Sequence, residues 1–220
     1  MKNILFIGNS FTFFNDLPQM LQKLAQDTGD EFYVDSVLRG GAYLHDFANP
    51  EDEIGQKLRN VFPTRAWDYV ILQDQSFNPA GNPEDCLKSA AFLCDIMKEN
   101  VKQFLFYSTW AYEDGSEKLG GTGMTYYDML AALTATYQKA AEQNSGIRVP
   151  VGAVFAELWR EYPEITLYEP DNFHPSPAGS YAAACLFYQA VTGKSASLLG
   201  VPEGVSETDA ALIRKTVAEM

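Results

Sequence analysis

The chain is poor in several residue types that carry chemistry. Only two histidines, His45 and His174, stand in 220 residues. A mechanism that needs a histidine therefore has two candidates, and a site that needs three is excluded. Cationic side chains are also scarce: 16 Lys+Arg against 29 Asp+Glu leave a formal net charge of −13. Phosphate backbones are held through a basic footprint, so this balance argues against nucleic acid as the main partner. It disfavours an anionic membrane surface for the same reason. The three cysteines, Cys86, Cys94 and Cys185, form an odd set without a C-x-x-C pair. That argues against a disulfide framework or a cysteine-built zinc site and predicts buried, reduced thiols. Long apolar runs are missing too. None approaches the ~18 residues of a membrane span. The N-terminal run Ile4–Ile7 is shorter than the about 7–15 residues of a signal-peptide core. The expectation is a cytoplasmic protein with no membrane association.

Motifs for nucleotide or metal binding are likewise incomplete. Gly193-Lys194-Ser195 ends like a phosphate-binding loop, but Tyr188 stands where the first glycine belongs. Gly120-Gly121-Thr122-Gly123 is not G-x-G-x-x-G and does not directly follow a strand-like segment. Neither D-x-D nor EF-hand spacing occurs. No metal and no organic cofactor are expected.

What is present is a packed-core composition, with 46% hydrophobic and 13% aromatic residues. Strand-like and helix-like segments alternate. Strands are expected at Ile4–Ile7, Phe32–Leu38, Tyr69–Leu72, Gln103–Tyr107 and near Val149–Val154. Helices are expected after a cap at Asp16, within Glu51–Asn60, after Asn82-Pro83, over Tyr126–Glu142, after Ser176-Pro177 and after Ser206. Thr109–Gly121 reads as a long polar loop. Strands alternating with helices of 10–15 residues imply βαβ units, a parallel sheet and right-handed crossovers. The predicted architecture is a single α/β domain over 1–220. In such a sheet, ligands bind beyond the carboxyl ends of the strands, so the residues just after each strand are the candidates.

Those segments are Gly8-Asn9-Ser10-Phe11-Thr12, Arg39-Gly40-Gly41, Gln73 to Asn78, and Ser108-Thr109-Trp110, with Asp171-Asn172-Phe173-His174-Pro175 far downstream. A serine hydroxyl is a weak nucleophile until a base within hydrogen-bond reach takes its proton, and that base needs a third group to fix its tautomer. Ser10, His174 and Asp171 can supply these parts. Asp171 lies three residues before His174, close enough for a turn to aim it at the imidazole. An oxyanion also needs donors. The Ser10 and Gly41 N–H groups and a side-chain amide from Gln73, Gln75 or Asn78 are candidates. Asn9, His45, Trp110 and Tyr112 stand as candidate substrate contacts, the aromatic pair being suited to stacking on a sugar.

With these residues in view, the sequence resembles the SGNH (GDSL-like) hydrolases. Ile7-Gly8-Asn9-Ser10-Phe11-Thr12 is similar to their first block, Gly41 to the glycine of the second, and Asp171-x-x-His174-Pro175 to the last. The I-G-N-S-F-T form, with Leu72–Ser76 as an L-Q-x-Q-S third block, resembles one subgroup of that superfamily. The resemblance implies a three-layer α/β/α, flavodoxin-like fold with a five-stranded parallel sheet. It also implies a serine esterase whose catalytic residues are Ser10, His174 and Asp171, acting on short acyl groups such as acetyl on a carbohydrate or other small ester. Acyl transfer by the same residues, or a non-catalytic carbohydrate-binding module on the same fold, are the alternatives. Two positions depart from the pattern. Asn9 replaces the usual Asp, and Phe77 falls where the family has its oxyanion Asn. Gln75, two residues earlier on the same side of an extended strand, is the expected replacement, with Gln73 and Asn78 as alternates.

Overall fold

In the computed structural model, which describes residues 1–220, five strands form one parallel sheet: β1 (Lys2–Gly8), β2 (Phe32–Leu38), β3 (Trp67–Leu72), β4 (Val101–Tyr107) and β5 (Ile147–Val149). Their order is β2-β1-β3-β4-β5. The helices are α1 (Ser10–Phe13), α2 (Leu17–Asp27), α3 (Leu44–Ala48), α4 (Glu53–Val61), α5 (Asn78–Gly81) and α6 (Pro83–Met97). They continue with α7 (Glu117–Gly120), α8 (Tyr126–Gln143), α9 (Val151–Glu161), α10 (Pro177–Thr192) and α11 (Glu207–Ala218). No helix is long and apolar enough to cross a membrane.

The apolar runs follow from burial on both faces of the sheet. On β1, Ile4 and Phe6 join a core with α2, α9, α10 and α11, whereas Leu5 and Ile7 join a second core with α4 and α6. Alternation along one strand thus feeds two helical layers, which is the expected three-layer arrangement. The chain winds outward from β1 to β2, then returns past β1 to β3. In open α/β sheets that reversal, beyond the strand ends, is where ligands bind. The loops after β1, β2 and β3 meet there.

The fifth strand is displaced from its expected place. Ile147–Val149 pairs with β4, and Val151–Glu161 is helical. Val151, Val154, Phe155 and Leu158 repeat at helical spacing and are all buried. A short apolar run suits either structure, and here its continuation decides for helix. Thr109–Gly121 is also less open than expected, since Trp110, Ala111 and Tyr112 are buried and Glu117–Gly120 is a helical turn. Asp16 precedes α2 but does not cap it with its side chain; Asn15 and Asp16 both take left-handed backbone, at φ +53° and +52°.

Candidate active site

The turn that carries Ser10 is built by close approach. Gly8 ends β1, where an added Cβ would come within 2.6 Å of Gln73 Oε1 and 2.7 Å of Thr12 Oγ1. Asn9 caps α1, its Oδ1 accepting from the Phe11 N–H. Its Nδ2 donates to the carbonyls of Ala42 (2.9 Å) and Asp74 (3.2 Å). A carboxylate cannot make those two bonds, which accounts for Asn where the family usually has Asp. Asn9 is buried and fastens three loops together, so it is scaffold rather than a substrate contact.

Ser10 opens α1. Its Oγ lies 2.8 Å from His174 Nε2, and His174 Nδ1 lies 2.6 Å from Asp171 Oδ2. The carboxylate only accepts, so Nδ1 carries the proton and Nε2 is left to accept from the Ser10 hydroxyl. Asp171 also accepts from the N–H groups of Phe173 (3.2 Å) and His174 (3.0 Å). Burial pushes its carboxyl up, but the His174 ring and these two N–H bonds outweigh that, and it sits below the usual range.

The imidazole is clamped by aromatic rings. Phe14 stacks on it at 4.1 Å and 2° between planes, Phe173 lies 4.0 Å away at 38°, and Phe11 meets its edge at 5.8 Å. The left-handed kink at Asn15 and Asp16 turns the chain just after Phe14. Asn15 Nδ2 ties that kink to the Pro175 carbonyl and to Ser180 Oγ, both 2.9 Å away. Trp110 braces the arrangement. Its ring is sandwiched between Phe11 (4.6 Å) and Phe155 (4.2 Å), and its indole N–H donates to the Phe173 carbonyl at 3.0 Å. Trp110 is therefore core, and the expected stacking on a sugar is corrected: no face of the ring is free. Tyr112 is also buried, its hydroxyl 2.7 Å from Ser76 Oγ. Glu113 completes the strap, with its N–H donating to the Asn172 carbonyl (2.9 Å) and its carboxylate accepting from Asn172 Nδ2.

On the other side of Ser10, Gly41 takes φ +69° with no atom within 4 Å of an added Cβ, so backbone conformation rather than space requires glycine. Arg39, just before it, pairs with Asp46 (2.9 Å) and Asp52 (2.5 Å), pinning the loop to α3 and α4. The Gly41 N–H has no acceptor within the chain, and the Ser10 N–H is an orphan donor at the first turn of α1.

The three amide candidates separate by their partners. Gln73 is fully buried, its Oε1 accepting from the Asn9 N–H and the Thr12 hydroxyl, both at 2.9 Å, and its Nε2 donating to the Asp74 carbonyl. Asn78 gives both amide hydrogens away, to Asp74 (2.7 Å) and Asp85 (2.9 Å). Gln75 is half-buried. Its Oε1 is held by the N–H groups of Phe77 (2.8 Å) and Asn78 (3.0 Å), while its Nε2 makes one bond, to Ser76 Oγ at 3.2 Å. Gln73 and Gln75 each keep one amide hydrogen, but that of Gln73 is fully buried and that of Gln75 is the one a ligand can reach. His45 lies apart from Ser10 in contacts, stacked on Tyr43 and bonded to Asp85 at 2.9 Å. The largest cavity, about 490 Å³, is lined by Asn172, Glu113, Glu164, Glu169 and Asp209, and by neither Ser10 nor His174. The phenylalanine clamp, the bracing role of Trp110 and the ion pairs of Arg39 are not legible in the sequence. Phe11 and Phe14 follow Ser10 closely in sequence, but nothing in their spacing says which ring meets the histidine.

No protein-family model and no curated protein matches the chain. Solved structures do. A DUF4886 family protein from Bacteroides uniformis superposes with a TM-score of 0.81, at 18% identity, over 99% of this chain and 93% of that one. The acetylxylan esterase Axe2 from Geobacillus stearothermophilus superposes at 0.58, with 20% identity over 87% and 94% of the two chains. At those identities the likeness is one of fold. A candidate SGNH hydrolase from Slackia heliotrinireducens goes further, at 33% identity and a TM-score of 0.74, covering 86% of this chain and 97% of that one. On that relationship, with the same parallel sheet beneath it, the chain belongs to the SGNH hydrolase superfamily.

Proposed function

We propose that the protein is a serine-dependent carboxylic ester hydrolase. The observation that carries this reading is the continuous series Asp171 Oδ2, His174 Nδ1, His174 Nε2 and Ser10 Oγ, with links of 2.6 and 2.8 Å. Ser10 Oγ attacks the acyl carbonyl as its proton passes to His174 Nε2. The carbonyl electrons move onto oxygen, where the Ser10 and Gly41 N–H groups and the Gln75 amide are the donors. Donors aimed at that charge act most strongly in the transition state. Collapse breaks the ester C–O bond, and the leaving alcohol takes the proton from His174. Water repeats the cycle on the acyl-enzyme, its proton passing to His174 and then to the Ser10 oxygen, which releases the acid. Asp171 holds the ring and stabilises the imidazolium in both halves.

Short acyl groups such as acetyl, on a carbohydrate or other small ester, are the substrate class. The superposition on an acetylxylan esterase supports this choice by fold. With Trp110 and Tyr112 buried, apolar contact to the substrate falls to the exposed Phe13 and to Phe14 and Phe173 around the imidazole. The surplus of carboxylates favours neutral or cationic esters over strongly acidic ones.

The test is hydrolysis of p-nitrophenyl acetate, butyrate and octanoate by the wild type, Ser10→Ala and His174→Ala. Turnover by wild type that is highest on acetate and lost in both variants supports the reading. Wild-type rates no higher than those of Ser10→Ala on every ester would overturn it. Product analysis with an added sugar acceptor separates hydrolysis from acyl transfer.

A further inference from the structure

Asp74 is a fully buried carboxylate that the reaction does not use. It follows β3, and almost every polar group around it is a donor turned inward. Oδ1 accepts from the N–H of Leu44 at 2.8 Å and of Gln75 at 2.7 Å. Oδ2 accepts from Asn78 Nδ2 at 2.7 Å. The Cys86 thiol donates to the same carboxylate; burial, together with that negative charge, pushes the thiol well above its ordinary range, so it stays protonated. The Asp74 backbone is held equally firmly, its N–H on the Tyr137 hydroxyl at 3.0 Å and its carbonyl under Asn9 Nδ2. No cation lies among these partners. A buried charge without a counter-ion costs several kcal/mol unless hydrogen bonds replace its water. Here three N–H donors and a thiol replace part of that water, burial still holding the carboxyl above its ordinary range, and that set is matched to a carboxylate rather than to an amide or an apolar side chain.

The donors come from two loops. Leu44 lies three residues beyond Gly41 in the segment after β2, and Gln75 and Asn78 belong to the turn after β3. We propose that Asp74 is a positioning residue for the oxyanion donors. It joins the Gly41 loop to the Gln75 turn through one carboxylate, so that the two donors keep a fixed separation across the carbonyl oxygen. Asn78 extends the tie outward to Asp85, which bonds His45 on α3 at 2.9 Å and so returns to the Gly41 side. This closes a ring of polar contacts around the base of the site. The inference rests on the esterase reading above.

A change that only loosens the fold slows all substrates alike. A change that displaces oxyanion donors slows those substrates that use them. The readout is therefore kcat/KM for p-nitrophenyl acetate and for its thionoester analogue, whose sulfur accepts hydrogen bonds weakly. Asp74→Asn keeps the volume and replaces one acceptor with a donor facing donors. The expected result is a variant that still unfolds cooperatively, loses about 10- to 100-fold on the oxygen ester and under about 3-fold on the thionoester. Equal losses on the two esters, or wild-type rates on both, would overturn the proposal. If Asp74→Asn does not fold, Asn78→Ala decides by the same ratio, because it removes one of the carboxylate's donors and leaves the backbone bonds in place. The outcomes stay separate from failure of the esterase reading, which would show as wild-type turnover no higher than that of Ser10→Ala.

Discussion

Replacing Asn9 by Asp restores the residue the family usually carries, and in this chain it is expected to be strongly destabilising. The substitution is isosteric and opens no cavity. Oδ1 still caps the Phe11 N–H. The other atom changes from a donor that bonds two carbonyls, of Ala42 and Asp74, into an acceptor that faces both. Two net hydrogen bonds are lost at about 1 kcal/mol each, and two carbonyls are left opposite a buried charge. An unpaired buried charge typically costs about 3–5 kcal/mol, and the surviving cap offsets part of the sum. A net loss of about 3–5 kcal/mol follows, or about 6–20 °C in Tm for a chain of this size. The introduced carboxyl would have a raised pKa in the folded state, with no cation beside it. Its penalty is then full above that raised value and fades as pH falls toward the unfolded value of about 3.9. Thermal melts by circular dichroism at pH 8 and pH 5 measure both effects. A variant melting within 2 °C of wild type at pH 8 would refute the account of Asn9 as a two-carbonyl donor.

Three further outcomes follow from the site. Gln75→Ala is expected to lower kcat about 100- to 1,000-fold with an unchanged melt, whereas Gln73→Ala lowers the melt, because the Gln75 amide is accessible while Gln73 is buried and holds Asn9 and Thr12. Phe14→Leu removes the ring stacked on His174. A stacked pair contributes about 0.5–1.5 kcal/mol, so kcat should fall by up to about tenfold with little change in KM, and Phe14→Tyr should restore it. The same variant should shift the His174 ring-proton resonances downfield while those of His45 stay in place. Asp171→Asn is expected to cost about 10³- to 10⁴-fold in kcat. Since the wild-type carboxyl lies below the usual range, it stays ionised on mild acidification, and its contribution to stability, present above the unfolded value of about 3.9, is lost only as pH falls through the lower folded value.

The layered fold was legible because buried parallel strands read as continuous apolar runs, and the helices between them carry caps such as Ser176, Ser206 and the left-handed Gly193. The displaced fifth strand shows the limit of that signal, since Val149–Val154 is apolar enough for either structure. At the site, the order and spacing of Ser10, Asp171 and His174 pointed to one cluster, and the chain folds so as to hydrogen-bond them in series. Trp110 and Tyr112 were misread because an aromatic in a polar stretch looks exposed. Trp110 is covered by Phe11 and Phe155 and Tyr112 packs on Phe173, all more than 40 residues away along the chain, and no local pattern carries those contacts. Asn9 and Asp74 were illegible for a related reason: a buried polar side chain is defined by its partners, and those come from three different loops.

The central claim is that Ser10 is a nucleophile activated by His174. Labelling with a fluorophosphonate, followed by peptide mapping, tests it most directly, because the probe phosphonylates an activated serine and spares idle hydroxyls. The account predicts one adduct on Ser10 in the wild type, labelling at least about 100-fold slower in His174→Ala, and none at that position in Ser10→Ala. An unlabelled wild type, or labelling at Ser10 that proceeds equally fast without His174, would contradict it.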